Sequence, residues 1–171
     1  EFDLQGPTAQ ADLERLLTQS VSTLADGQCR YGYLLRDDGG VLDDLTCYRR
    51  GPDHFMLCVN AGTCPQDADW IRPHLPPSTR FPDLSPGTAK LDVQGPESRA
   101  ALEEAFGIRL PDLKYFRFTD LALAGVPCTL SRTGYTGEWG YEIYFPGGEA
   151  VRFWEILLAR GRIRPAGLGA R

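Results

Sequence analysis

The side chains best suited to chemistry in this chain are carboxylates. Residues 131–146, SRTGYTGEWGYEIYFP, place three glycines, Tyr135, Glu138 and Glu142 in and around an alternating apolar run. A hairpin turn accounts for the glycines, which let the backbone bend and be approached closely with no Cβ in the way. It does not account for carboxylate and aromatic side by side. An ionised carboxylate accepts from paired donors, and a tyrosine offers a flat apolar face with a polar tip. The rivals are thin. Five cysteines (Cys29, Cys47, Cys58, Cys64 and Cys128) are widely spaced with no C-x-x-C, and with only His54 and His74 they form no zinc spacing. No metal is expected. A Cys–His nucleophilic pair stays open, but buried cysteine is mostly structural.

The elements that must position these residues come from an internal repeat. DLQGPTAQADLERLL at residues 3–17 returns as DVQGPESRAALEEAF at residues 92–106, with Asp, Gln, Gly, Pro, Ala, Leu and Glu in register. Each copy reads as a short strand ending at Gly-Pro, then a helix that proline can start because its missing N–H would have no partner there. Leu13, Leu16 and Leu17 in one copy and Leu102, Ala105 and Phe106 in the other fall on one helical face. Strand patterns follow, around Asp37-Asp38-Gly39-Gly40 in the first half and around Ala124-Gly125 and Gly137 to Gly140 in the second. Each half then closes with a helix, expected at about 65–72 and at about 149–159, the latter with Val151, Trp154, Leu157 and Leu158 on its apolar face. Residues 72–90 hold five prolines, which forbids a long helix and implies an extended crossover.

The fold class expected is α+β, in two similar strand–helix–strands–helix halves related by a pseudo-twofold duplication. Their boundaries are residues 1–71, a proline-rich crossover at 72–90, and residues 91–171. Composition excludes other classes. A net charge of −5, from 18 basic and 23 acidic residues, argues against nucleic-acid binding. No apolar run approaches the roughly 20 residues of a membrane span, and no signal-peptide pattern opens the chain, so a reducing, cytoplasmic setting without a membrane is expected.

Several of these stretches together resemble a known family. SRTGYTGEWGYEIYFP, GGVLDDL, VNAG followed by Asp67, LDVQGP and the closing AGLGAR are similar to the aminomethyltransferases, the T-proteins of the glycine cleavage system, in order and rough spacing. The resemblance covers nearly the whole chain. The Gly-Tyr-Thr-Gly-Glu stretch with the GLGAR tail is specific to the folate-dependent superfamily, and separates less well its dimethylglycine- and sarcosine-oxidising and sulfoniopropionate-demethylating branches. Trp139 stands where that family usually has an acidic residue or Asn.

The resemblance implies a tetrahydrofolate site to which both halves contribute. Asp67, seven positions after Asn60, matches the family's catalytic aspartate. Glu142 matches its pterin-binding glutamate, Tyr135 a tyrosine lining the site, and Arg171 an arginine of the same pocket. Each residue type suits its task. A pterin edge offers an amino group and a ring N–H together, and Glu142 could accept from both. Arg171 could meet the pterin carbonyl or neutralise a buried glutamate. Tyr135 offers its face to the ring or the aminobenzoyl group. The implied reaction moves an aminomethyl carbon from the lipoyl arm of a carrier protein, the H-protein, to tetrahydrofolate, releasing ammonia. Positive charge develops on nitrogen, and a desolvated carboxylate at Asp67 would stabilise it and relay protons.

By the same resemblance the chain is expected to be truncated at both ends, starting inside the family pattern and lacking the C-terminal β-barrel domain. Two other readings compete: a catalytically silent folate-binding or interaction module, and a folate-dependent demethylase with another donor. Asp67, Tyr135 and Glu142 together favour an enzyme. Asp43 and Asp44, by contrast, read as polar residues at a strand edge.

Overall fold

The computed structural model describes residues 1–160 and 162–170, and the chain divides into two compact units, residues 1–86 and 87–171. The first contains β1 (Phe2–Gln5), α1 (Ala9–Leu16), β2 (Gln28–Leu35), β3 (Val41–Gly51), β4 (His54–Cys58) and α2 (Cys64–Ile71). The second contains β5 (Thr88–Gln94), α3 (Ser98–Phe106), β6 (Phe118–Leu123), β7 (Val126–Ser131), β8 (Gly140–Pro146) and α4 (Ala150–Leu158). Each unit builds one four-stranded antiparallel sheet, in the orders β1-β4-β3-β2 and β5-β8-β7-β6. The duplicated sequence thus gives duplicated topology, and the α+β class holds.

In the first unit, alternation on the strands sends Leu4, Phe55, Leu57, Leu45 and Cys47 to one sheet face. There they meet Leu13 of α1 and Ile71 of α2 in a single apolar cluster. Full burial of such a side chain contributes about 1.5–3 kcal/mol, which is what holds a marginal eight-residue helix in place. The proline-rich stretch follows β1 over part of its length. Asp3 N donates to Pro82 O at 3.1 Å, Gln5 N to Arg80 O at 3.0 Å, and Arg80 N to Gln5 O at 2.7 Å. Proline suits such an edge position because it has no donor to offer the ladder.

In the second unit, Val93, Leu130, Tyr141, Ile143 and Phe145 face Leu102 of α3 and Phe153 and Leu157 of α4. Phe145 and Phe153 stack with centroids 4.2 Å apart. That stack corrects the expected face of α4. Val151 and Trp154 point outward, 70% and 44% exposed, while Phe153 and Leu157 are buried. Two stripes of helical spacing compete on this segment, and the one carrying Phe153 wins because its ring has a partner across the sheet. β8 is buried along both faces, so Glu142 and Tyr144 are enclosed on the side opposite the apolar cluster. No helix among the described residues is long and apolar enough to cross a membrane.

Candidate active site

Asp67 lies in the first turn of α2, on the stripe it shares with Cys64 and Ile71. A lone acid near a helix start is ordinarily a surface residue favoured by the helix dipole. Asp67 is instead completely buried, and neither of its carboxylate oxygens accepts a hydrogen bond from a protein donor among the described residues. It faces the carboxyl of Asp43. Burial pushes the Asp67 carboxyl up, the adjacent Asp43 adds to the rise, and the result is about 7. Asp43 goes the other way: burial would raise it, but hydrogen bonds from Asn60, Thr63 and Asp67 hold it below the usual carboxylate range. Below neutral pH the pair therefore holds one proton, on Asp67, which is given up near neutrality and so is held at an affinity suited to exchange.

Glu142, in the second unit, is the central residue of a charged cluster. Its register partner across the ladder is Asp92 on β5, and the next pair on the same face is Lys90 with Tyr144. Lys90 Nζ lies 2.7 Å from Glu142 Oε1 and 3.5 Å from Asp92 Oδ2. The Thr133 hydroxyl makes a very short contact to Glu142 Oε2, with the Ser131 hydroxyl 2.8 Å behind it, and Tyr144 Oη approaches the same oxygen at 3.3 Å. Burial would raise the Glu142 carboxyl, but the Lys90 charge and the bonds from Lys90 and Thr133 outweigh it, so Glu142 is ionised. Asp92 is pushed up to about 6, by burial and by Glu142, against the pull of Lys90. The cluster thus separates its two acids, and the glutamate keeps the charge.

Tyr135 belongs to the connection between β7 and β8, with its ring half-exposed and the Lys90 ammonium 5.7 Å from the ring centroid. Lys90 therefore joins both residues of this unit singled out from sequence. The connection itself is pinned at several points. Gln94 Nε2 donates to Thr133 O at 3.2 Å and to Tyr141 O at 3.4 Å, and Gly95 N donates to Trp139 O at 2.6 Å. A Cβ at Gly140 would sit 1.7 Å from Gln94 Oε1, so any other residue there displaces the Gln94 side chain. Trp139, the departure from the family pattern, has a local use: the Arg132 guanidinium stacks on its ring at 3.3 Å from the centroid. Asp92, Gln94 and Tyr135 also border a cavity of about 820 Å3 in this unit, which Glu142 does not line.

Sequence reasoning singled out Asp67, Tyr135, Glu142 and Arg171. The structure buries Asp67 and Glu142 and leaves Tyr135 half-exposed; Arg171 lies outside the described residues. Asp43, Lys90 and Thr133 were missed. Asp43 was the legible one of the three, because it shares the parity of Leu45 and Cys47 on β3 and so had to face the core. Among the described residues, no group of three or more His, Cys, Asp or Glu is placed to hold a metal ion.

The model of the GCVT N-terminal domain matches residues 1–171. An aminomethyltransferase of Halothermothrix orenii is 39% identical over 174 residues, covering 100% of this chain and 49% of that protein. One of Bacillus cytotoxicus is 37% identical over 175 residues, covering 100% and 48%. The chain thus spans about half the length of these curated relatives. Among solved structures, glycine cleavage system aminomethyltransferase T from Bartonella henselae superposes with a TM-score of 0.89 at 32% identity, over 99% of this chain and 45% of that one. A heterotetrameric sarcosine oxidase from Corynebacterium sp. U-96 superposes with a TM-score of 0.65 at 18% identity, over 97% and 82%, a likeness of fold alone.

Proposed function

Since the chain belongs to the GCVT N-terminal domain family, we propose that it is the tetrahydrofolate-binding part of an aminomethyltransferase. The enzyme would move a one-carbon unit from an aminomethyl group on the lipoyl arm of the glycine cleavage system's H-protein to tetrahydrofolate, with release of ammonia. The observation that carries an enzymatic reading is Asp67: a completely buried carboxyl, without a protein donor among the described residues and pushed up to about 7. A silent binding module gains nothing from an acid there, since leaving such a group buried and unmatched costs stability.

The residues present fit the ligand. A pterin edge needs an ionised, fixed acceptor, and Glu142 is ionised and held by Lys90 and Thr133. Tyr135 offers a half-exposed ring beside it. Tetrahydrofolate, when bound, supplies the nitrogen nucleophiles that take the carbon. The chain's own groups bind, orient and move protons. Glu142 accepts from the paired N–H donors of the pterin and so fixes its orientation. Tyr135 packs against a ring face. Asp67 gives up its proton as an amine departs, and as a carboxylate stabilises positive charge on nitrogen. Arg171 keeps its role in this pocket from the resemblance alone.

Anaerobic calorimetry of the chain with tetrahydrofolate, with Glu142→Ala as control, tests the binding half. Saturable heat that disappears in the variant supports the placement of the pterin; equal heat from both proteins refutes it. For the chemistry, Asp67→Asn in the complete protein is expected to lower kcat by about 10²–10³ while the Kd for tetrahydrofolate stays within about twofold. A kcat that does not depend on Asp67 would refute that role, and no turnover with lipoyl-bound aminomethyl or any other donor would favour the silent module.

A further inference from the structure

We propose that Asp43 is the positioning residue for Asp67: it anchors the turn that starts α2 and presents an acceptor to the Asp67 carboxyl, so that the two acids hold one proton between them. The proposal rests on the reading of Asp67 as the proton-exchanging acid, and adds to it the group that makes such exchange possible.

The register of β3 is the first argument. Asp43 is 7% exposed and lies on the same face as Leu45 and Cys47, where alternation calls for an apolar side chain. An acid at such a place is costly unless its oxygens are matched. They are. Asn60 Nδ2 donates to Asp43 Oδ1 at 2.8 Å, and Asn60 N and Thr63 Oγ1 donate to Oδ2 at 3.2 and 2.7 Å. Asn60 Nδ2 also reaches Asp44 O and Asp44 Oδ1, at 3.2 and 2.9 Å, which ties the turn to the strand twice. Thr63 stands at the N-cap of α2 without a side-chain cap bond, and its hydroxyl donates to Asp43. That bond fixes the start of α2 on the strand.

The second argument is the contrast between the two acids. Asp43 has three donors within 3.2 Å; Asp67 is completely buried, its oxygens have no such partner among the described residues, and Asp43 and the Thr63 hydroxyl are the side chains that act on its carboxyl. Two desolvated carboxyls that act on one another ionise in turn, so between their two midpoints one is a protonated acid facing the other's anion. The acid with donors becomes the anion and the acid without them keeps the proton. Their titration agrees in sign: burial and Asp43 push Asp67 up to about 7, while Asp43 stays below the ordinary range. From β3 the charged group facing Asp67 is Asp43. From the turn the facing group is Thr63, which does not titrate. On α2 itself Cys64 shares its stripe, with the Sγ turned to Asp83 and Ser85.

The test is carboxyl-detected NMR titration of the aspartates in this chain, in the wild type, Asp67→Asn and Asp43→Asn. The wild type is expected to show one aspartate titrating near pH 7, absent in Asp67→Asn. In Asp43→Asn that midpoint falls by about one pH unit or more, a tenfold loss of proton affinity, because a like charge and its acceptor are gone while burial remains. A folded Asp43→Asn whose neutral midpoint is unmoved overturns the proposal, as does a wild type with no such midpoint. Should Asp43→Asn fail to fold, Thr63→Val decides: the low midpoint of Asp43 should rise, and an unmoved Asp43 midpoint overturns the proposal. The underlying reading fails separately. If Asp67→Asn leaves kcat of the complete enzyme intact, Asp67 is not the exchanging acid, whatever its titration shows.

Discussion

Replacing Asp67 by asparagine should make the protein more stable, and by an amount that depends on pH. The folded carboxyl has its affinity for a proton raised from 3.8 to about 7. Between those values the native state holds a proton that the unfolded chain releases, so wild-type stability falls as pH rises through that window and then levels off. Every tenfold gain in proton affinity corresponds to about 1.36 kcal/mol, which gives a ceiling of about 4 kcal/mol above pH 7. Below pH 4 both states are protonated and the difference vanishes. Asparagine is neutral throughout, nearly isosteric, and its amide can still donate to Asp43. Asp43 contributes in the opposite sense, its depressed titration adding stability above its unfolded value that is lost on acidification, and this contribution is common to both proteins.

The assay is urea unfolding of wild type and Asp67→Asn at pH 4, 6 and 8. The gap should be near zero at pH 4 and about 2–4 kcal/mol in favour of the variant at pH 8. On heating, that corresponds to roughly 5–10 °C in Tm for a chain of this size. A gap that stays constant across pH, or a wild type that is the more stable protein at pH 8, refutes the reasoning. A gain in stability at a site whose loss stops turnover would be the expected trade between function and stability.

The second unit supports three further expectations. Lys90→Met removes the cation 2.7 Å from Glu142, the strongest of the groups that oppose burial, so the Glu142 carboxyl rises; calorimetric affinity for tetrahydrofolate should then fall as pH is lowered from 8 to 6, and stability should drop by about 3 kcal/mol. Gly140→Ala drives a Cβ to within 1.7 Å of Gln94 Oε1 and should cost about 1–3 kcal/mol in urea unfolding, a cost that Gln94→Ala in the same chain partly relieves. Tyr135→Ala, at a half-exposed ring, should leave stability within about 0.5 kcal/mol while weakening tetrahydrofolate binding by about five- to tenfold, read by the same calorimetry.

Local patterns and distant contacts were not equally legible. The duplicated strand–helix unit was written in the sequence twice, and turn residues with period-two runs were enough for the hairpins. Asp67 stood out only by resemblance, since a lone acid in a first helical turn says surface. Its burial follows from the stripe it shares with Cys64 and Ile71, a pattern three and four residues apart that was available but went against residue type. Lys90 and Thr133 carried no local signal at all. Their contacts with Glu142 depend on the register that sets Asp92 opposite Glu142 and Ser131 opposite Glu142 on its other side, and register across strands is a tertiary quantity. On α4 the sequence offered two apolar stripes, and only the position of Phe145 across the sheet chose between them.

The repeat also shows where the two units part ways. Asp3 and Asp92 are matched positions of the duplicated segment, and each sits opposite one residue of the neighbouring strand: Met56 in the first unit, Glu142 in the second. In the first unit the Asp3 carboxylate takes His54 Nε2 at 2.6 Å, and the enclosed face beside it is apolar at Met56. In the second, the same register holds a glutamate with its lysine. The buried acid of the first unit appears elsewhere, on the core face of β3 and α2, as Asp43 and Asp67. One scaffold therefore carries acids in two charge states by two means. Donors and a cation keep Glu142 ionised, which suits gripping paired N–H groups, and a shared desolvated contact keeps a proton on Asp67, which suits exchanging it.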